Sequence, residues 1–164
     1  MTNPQCLDWA TKQEIGELVA RYFQLVDDKE FSLEKLSTVF TLDGTLKRPN
    51  GATVSGPAEI AASNAESFSR FRATQHFVGG CVVEVNGERA TGRVNVMAMH
   101  LWADGYGDPN SLDRHFVGGI VLTVNARRSE NVWRLESMEG RNVWRAGSTL
   151  GMMVRNQGEG LSRR

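Results

Sequence analysis

The segment Ala73-Thr74-Gln75-His76-Phe77-Val78 holds the side chain best suited to chemistry in this chain. Histidine is the one residue whose ordinary pKa lets it take and release a proton near neutrality. Upstream, the run from Glu14 to Asp28 reads as an amphipathic helix that ends on two carboxylates, Asp27 and Asp28. A carboxylate closing an apolar helix face and a histidine entering a strand can act as an orienting anion and a general base. The anion fixes the imidazole tautomer and stabilises the imidazolium once a proton has been taken. Such a pair works without metal or cofactor. The sparer alternative is a pocket histidine that only hydrogen-bonds a strand or a ligand.

The positioning elements follow from periodicity. Ile15, Leu18, Val19, Tyr22, Phe23 and Val26 fall on one face of a helix spanning roughly 12 to 28. Ser32 ahead of Glu34-Lys35-Leu36 suits the N-cap of a short second helix. Phe40 to Leu46 reads as a strand with an irregularity at Asp43-Gly44. Arg48-Pro49-Asn50-Gly51 then makes a hairpin turn, because Asn-Gly tolerates positive φ. Gly56-Pro57 opens a third helix, roughly 57 to 69. Four long alternating segments follow, at about 74–86, 89–103, 113–127 and 131–146, and imply an antiparallel meander. Gly79-Gly80 and Gly118-Gly119 lie inside strands, where glycine marks bulges or sharp bends.

Helices first and a meander last make an α+β domain, with a strongly curved, mixed and mostly antiparallel sheet wrapped around the long N-terminal helix. The resulting cone has an apolar pocket at its open end. A single domain over 1–164 is expected, with its core at about 10–146. The Gly- and Arg-rich tail, about 147–164, is expected to be a mobile segment or a lid.

Other side chains compete for places in that pocket. His100 and His115 lie near the Asp104–Asn110 loop and could each supply a second acid or electrophile, or else be rim histidines. Three histidines plus Asp27 match no metal-ligand spacing, so no metal is expected. Met97, Met99, Met138, Met152 and Met153, with Trp102 and Trp144, could line an adaptable cavity or simply pack the core. Asn95 and Asn142 stand in strands, where Asn is disfavoured, and could face a substrate oxygen. Arg114 and Arg141 could hold an anionic oxygen, or serve in surface ion pairs. Cys6 and Cys81 suggest no pairing, and Cys81 reads as a small core residue.

Nineteen basic and nineteen acidic residues balance to a formal charge of +0. That balance argues against a nucleic-acid or anionic-lipid surface. No apolar run approaches a membrane span, and the N-terminus has no signal-peptide pattern, so a cytoplasmic protein is expected. Phosphate-binding glycine loops and the serine-nucleophile elbow are absent.

With these features together, the chain resembles the SnoaL-like branch of the nuclear-transport-factor-2-like (cystatin-like α+β cone) superfamily over roughly residues 10 to 146. The likeness is carried by Tyr22-Phe23-Gln24-Leu25-Val26-Asp27, Phe40-Thr41-Leu42-Asp43-Gly44-Thr45 and Gly56-Pro57-Ala58-Glu59-Ile60, together with Thr74-Gln75-His76 and Trp133-Arg134-Leu135. The branch includes scytalone dehydratase, hexachlorocyclohexane dehydrochlorinase, bile-acid dehydratase and polyketide cyclases. The resemblance implies His76 as base and Asp27 as orienting anion, with Asp28 the competing carboxylate. It also departs from these members. Met138 stands where the dehydrochlorinase has an arginine facing the halide, and Arg141 is out of phase with that position. Tyr22 answers one of the paired tyrosines of scytalone dehydratase, but Phe40 and Leu42 occupy the neighbouring strand.

The expected activity is cofactor-free proton abstraction. It would lead to elimination, isomerisation or ring closure on an apolar polycyclic, aromatic or polyketide-like molecule. The alternative is a non-catalytic binding protein or partner subunit, with Trp133 and Trp144 on an interface. Either reading allows a homodimer through the outer sheet face.

Overall fold

A computed structural model describes residues 4–103, 108 and 111–147, the side chains from residue 9 onward. Three helices precede or interrupt a six-stranded sheet: α1 (Pro4–Asp27), α2 (Leu33–Ser37), β1 (Phe40–Lys47), β2 (Thr53–Ser55), α3 (Pro57–Phe68), β3 (Phe71–Asn86), β4 (Arg89–Trp102), β5 (His115–Ser129) and β6 (Val132–Ala146). The strand order is β2-β1-β6-β5-β4-β3. Only β1 and β6 run parallel; the other neighbours are antiparallel. The sheet is mixed and mostly antiparallel, as expected, and it is open; α1 starts well before residue 12. None of the described helices is long and apolar enough to cross a membrane.

The apolar stripe of α1 does what its spacing predicts. Ile15, Leu18, Val19, Tyr22, Phe23, Leu25 and Val26 are all buried, against Leu36, Phe40, Val94, Val124, Leu135 and Met138 among others. Each such side chain contributes about 1.5–3 kcal/mol on burial. The end of α1 is the part that positions a functional group. Lys29 adopts φ 55°, its N–H bonds Val26 O at 3.2 Å, and Glu30 N bonds Leu25 O at 2.9 Å. This is a Schellman-type stop. The Lys29 ammonium then donates to Phe71 O at 2.6 Å, tying the helix end to the start of β3.

The hairpin and capping signals are present where expected. Ser32 accepts from Lys35 N at 3.2 Å, and Gly51 sits at φ 89° in the β1–β2 turn. Asp43-Gly44 coincides with a register shift between β1 and β6. A Cβ at Gly44 would lie 2.9 Å from Thr41 O, so the close backbone approach requires glycine.

One expectation about the core fails. Cys81 is exposed, its sulfur 3.7 Å from where Gly16 would carry a Cβ. The β3–β4 register shifts between Gly79 and Val82, with Gly80 at φ 58°. Across the bulge the inward phase passes from even residues (Val78) to odd ones (Val83), so Cys81 faces α1 but at the edge strand of the sheet, where it stays exposed.

Candidate active site

Asp27 is the last residue of α1, and β3 passes beside it as an edge strand. An edge strand leaves backbone N–H groups unpaired, and Asp27 uses one. Its Oδ2 accepts from His76 N at 2.9 Å. Its Oδ1 accepts from the Thr74 hydroxyl at 2.7 Å and lies 2.6 Å from His76 Nδ1. Burial works against the ionised carboxylate. The hydrogen bond and charge of His76, then the Thr74 hydroxyl and the His76 backbone, outweigh it and hold Asp27 below the usual carboxylate range. In a neutral ring, an ionised acceptor at Nδ1 favours the tautomer with its proton on that nitrogen and a lone pair on Nε2.

The imidazole of His76 is fixed on several sides. Phe23 stacks on it at 4.6 Å between centroids, and Phe68 meets it edge-on at 6.4 Å. Its side chain is only 3% exposed. The ring forms part of the wall of a cavity of about 680 Å³ inside the cone. That volume suits a small organic molecule. Phe68, Phe71, Phe116, Ile120, Leu122 and Met138 supply apolar wall.

His100 faces the same cavity from β4, at 5.4 Å from His76 and perpendicular to it. It stacks on Phe116 at 4.2 Å, and its Nδ1 is buried without a partner. Desolvation, then the charge of His76, push its pKa down to about 3, with Asp27 opposing. His100 is therefore a neutral imidazole at physiological pH. Tyr22 also lines the cavity, its hydroxyl donating to Asn64 Oδ1 at 3.3 Å. Burial raises its pKa, against the pull of Arg48 and the Asn64 hydrogen bond. Met138 and Asn142 complete the expected residues found there.

Five expected pocket residues lie elsewhere. Asp28 follows the helix end and is exposed, leaving Asp27 as the carboxylate that reaches His76. Asn95 and Met97 point to the outer face, where they line a separate depression with Phe77, Arg141, Val143 and Trp144. Alternation along β4 sends Ala98, His100 and Trp102 inward and these two outward. Trp102 is buried behind the cavity against Phe71 at 4.8 Å and Phe116 at 5.9 Å. His115 turns its Nδ1 to Leu112 O near the start of β5, away from the cavity lining. Arg141 is on the outer face, as its phase required, and Arg114 is not in the lining. Trp133 is buried in the main core and cannot serve an interface, whereas Trp144 is exposed. Met152, Met153 and the tail as a lid lie outside the described residues.

Several polar residues at the cavity were not anticipated. Arg48, Arg70 and Arg145 line it, and Asn64, outside the lining, holds Arg48 from behind. Arg145 enters because the β5–β6 register jumps from Gly119↔Trp144 to Ile120↔Asn142. Val143 is the extra residue, and past it the inward phase moves to odd numbers. Gly119 is required there, since a side chain would collide with the indole of Trp144.

The fold has counterparts among solved structures. The Kfla4162 protein from Kribbella flavida superposes with a TM-score of 0.70 at 26% identity, over 82% of this chain and 91% of that one. Hexachlorocyclohexane dehydrochlorinase LinA-type3 from Novosphingobium barchaimii LL02 gives a TM-score of 0.72 at 17% identity, over 87% of this chain and 93% of that one. A protein of unknown function with a cystatin-like fold from Nostoc punctiforme PCC 73102 gives 0.64 at 20% identity, over 80% and 90%. No curated protein matches the sequence. The family model of the SnoaL-like domain matches residues 8–139, most of the chain, and the protein therefore belongs to the SnoaL-like family.

Proposed function

We propose that this protein is a cofactor-independent enzyme in which His76 removes a proton from carbon next to a carbonyl or similarly activated group. Elimination of water, isomerisation or ring closure follows from the carbanion or enolate so formed. The substrate is an apolar polycyclic, aromatic or polyketide-like molecule. The observation that carries the reading is the 2.6 Å contact of Asp27 with His76 Nδ1 at the wall of an apolar cavity. Asp27 favours the Nδ1–H tautomer, which leaves Nε2 as the basic nitrogen, and Phe23 keeps the ring from turning. His100, neutral and 5.4 Å away, can donate one N–H to an oxygen of the substrate without competing for the proton. The likeness to a dehydrochlorinase fold supports proton abstraction as the chemistry. The uncharged Met138 in the cavity argues against a halide as the leaving group.

The test needs no knowledge of the natural substrate. Apolar carbonyl compounds such as 2-tetralone are incubated with the protein in D2O, and loss of the α-proton signal is followed by NMR. Exchange should be accelerated by the wild type and abolished in His76→Ala. Asp27→Asn should slow it by orders of magnitude. Exchange undiminished in His76→Ala sinks the proposal.

We also propose that a second copy of the chain covers the outer sheet face. Phe77, Met97, Val143 and Trp144 stand there 44–54% exposed, side by side around one depression.

A further inference from the structure

Arg48 is a cation of the cavity wall that the proposed base chemistry leaves unexplained. It follows β1, at the mouth of the hairpin, and is half-buried. Its Nη2 donates to Asn64 Oδ1 at 2.6 Å and to the Ser63 hydroxyl at 3.1 Å. Both acceptors are neutral. Among the described residues no carboxylate pairs with Arg48. Other cations of the fold are neutralised: Lys47 by Glu139 at 2.7 Å, and Arg89 by Glu136 at 2.7 Å.

The residue behind the guanidinium is an amide where an acid would fit. Asn64 is fully buried on the inner face of α3. Its Oδ1 receives both Arg48 and the Tyr22 hydroxyl, which dictates the amide orientation. Its Nδ2 is left buried with no partner, a cost of about 1–3 kcal/mol. An aspartate would accept the same two hydrogen bonds, leave no orphaned donor, and neutralise the guanidinium. The amide instead fixes Arg48 in place and leaves its charge uncompensated.

The surroundings agree. Lys47, Arg70 and Arg145 also line this cavity, and among the described residues no Asp or Glu does. Phe68 bridges Arg48 and the histidine. The guanidinium carbon is 5.8 Å from the centre of its ring, and the His76 ring is 6.4 Å from the same centre. A molecule the size of a fused bicycle can lie along Phe68 and reach both.

We propose that the Arg48 end of the cavity is an anion subsite, and that the molecule it takes is an apolar carboxylic acid whose carboxylate lies against the Arg48 guanidinium. The planar guanidinium fork matches a carboxylate in two parallel hydrogen bonds. Anchored there, the carbon skeleton extends along Phe68 towards His76. As a substrate class, this inference rests on the base chemistry proposed above; as a binding site, it stands without it.

The experiment is calorimetric titration with 2-naphthoate and its neutral isostere 2-naphthamide. The wild type should bind the carboxylate at least about tenfold more tightly than the amide, the worth of one charge-assisted pair. In Arg48→Gln the preference should fall below about threefold. Asn64→Asp, which supplies an internal counter-ion within the same shape, should abolish it equally and serves where Arg48→Gln does not fold. His76→Asn should keep it. The proposal is overturned if the wild type binds both probes alike or neither, or if the preference survives both Arg48→Gln and Asn64→Asp. Loss of the preference in His76→Asn alone overturns it too, because the imidazolium would then be the anion's partner. A wild type that prefers the carboxylate yet exchanges no carbon-bound proton contradicts the base chemistry and leaves the subsite standing.

Discussion

Acidification should destabilise this protein through His100, and the amount can be worked from its surroundings. The ring is 8% exposed, stacked on Phe116 and packed against Phe68 and Phe71, with Nδ1 buried and unpartnered. Its pKa in the folded state is pushed down to about 3 from the ordinary 6.5. Proton linkage sets the sign. Below pH 6.5 the unfolded chain binds a proton at His100 and the folded chain does not. Folding stability is therefore fully present above 6.5 and falls as the pH drops towards 3. Each unit in that window costs about 1.4 kcal/mol, so at pH 4.5 the loss is about 3 kcal/mol. Asp27 acts in the same direction, but its depressed pKa matters mainly below the unfolded value of about 3.9, beneath the pH 4.5 endpoint, and it is shared with the reference protein. Urea unfolding at pH 7.5 and 4.5 reads the effect, with His100→Phe as the reference. Phenylalanine suits this aromatic cluster and cannot titrate; any overpacking cost is the same at both pH values and cancels. The wild type should lose about 2–3 kcal/mol more than His100→Phe between the two pH values. Equal losses in the two proteins refute a buried neutral histidine at this position.

Other consequences are more local. Thr74→Val removes one of three hydrogen bonds to Asp27 and should slow α-proton exchange by roughly 3- to 10-fold, with little change in melting temperature. Gly80→Ala places a side chain at φ 58° and 2.8 Å from Asn95 Nδ2, and should cost about 1–2 kcal/mol in urea unfolding. Trp144→Lys on the outer face should shift sedimentation velocity of a dimer towards the single chain; a wild type that sediments as a single chain at micromolar concentration removes the second-copy proposal.

Much of this architecture was readable because its signals are periodic or rest on turn chemistry. The apolar stripe from Ile15 to Val26, the Ser32 cap and the Asn50-Gly51 turn each have a local physical cause that tertiary packing did not override. Asp27 and His76 were visible as residue types at element boundaries. Their meeting was implied by the family resemblance and not by the residues alone, because it depends on the Lys29 helix stop and its tether to Phe71 O. Strand parity could have corrected one expectation. Asn95 and Met97 are odd-numbered on β4, while His100 and Trp102 are even, so an unbroken strand cannot turn all four into one cavity. Two features gave no signal. The bulge at Val143, which swaps Trp144 outward and Arg145 inward, arises from packing across Gly119. Arg48 reads as an ordinary polar residue of a hairpin, and only the fold shows Asn64 behind it.

The central claim is that Asp27 holds His76 with Nδ1 protonated and Nε2 free to act as base. The direct measurement is nitrogen-15 NMR of the His76 ring, at a pH where it is neutral, in the wild type and in Asp27→Asn. The account predicts a proton on Nδ1 and none on Nε2 in the wild type, with that preference weakened or reversed in Asp27→Asn. A wild-type ring carrying its proton on Nε2 would contradict it, because no lone pair would then face the cavity.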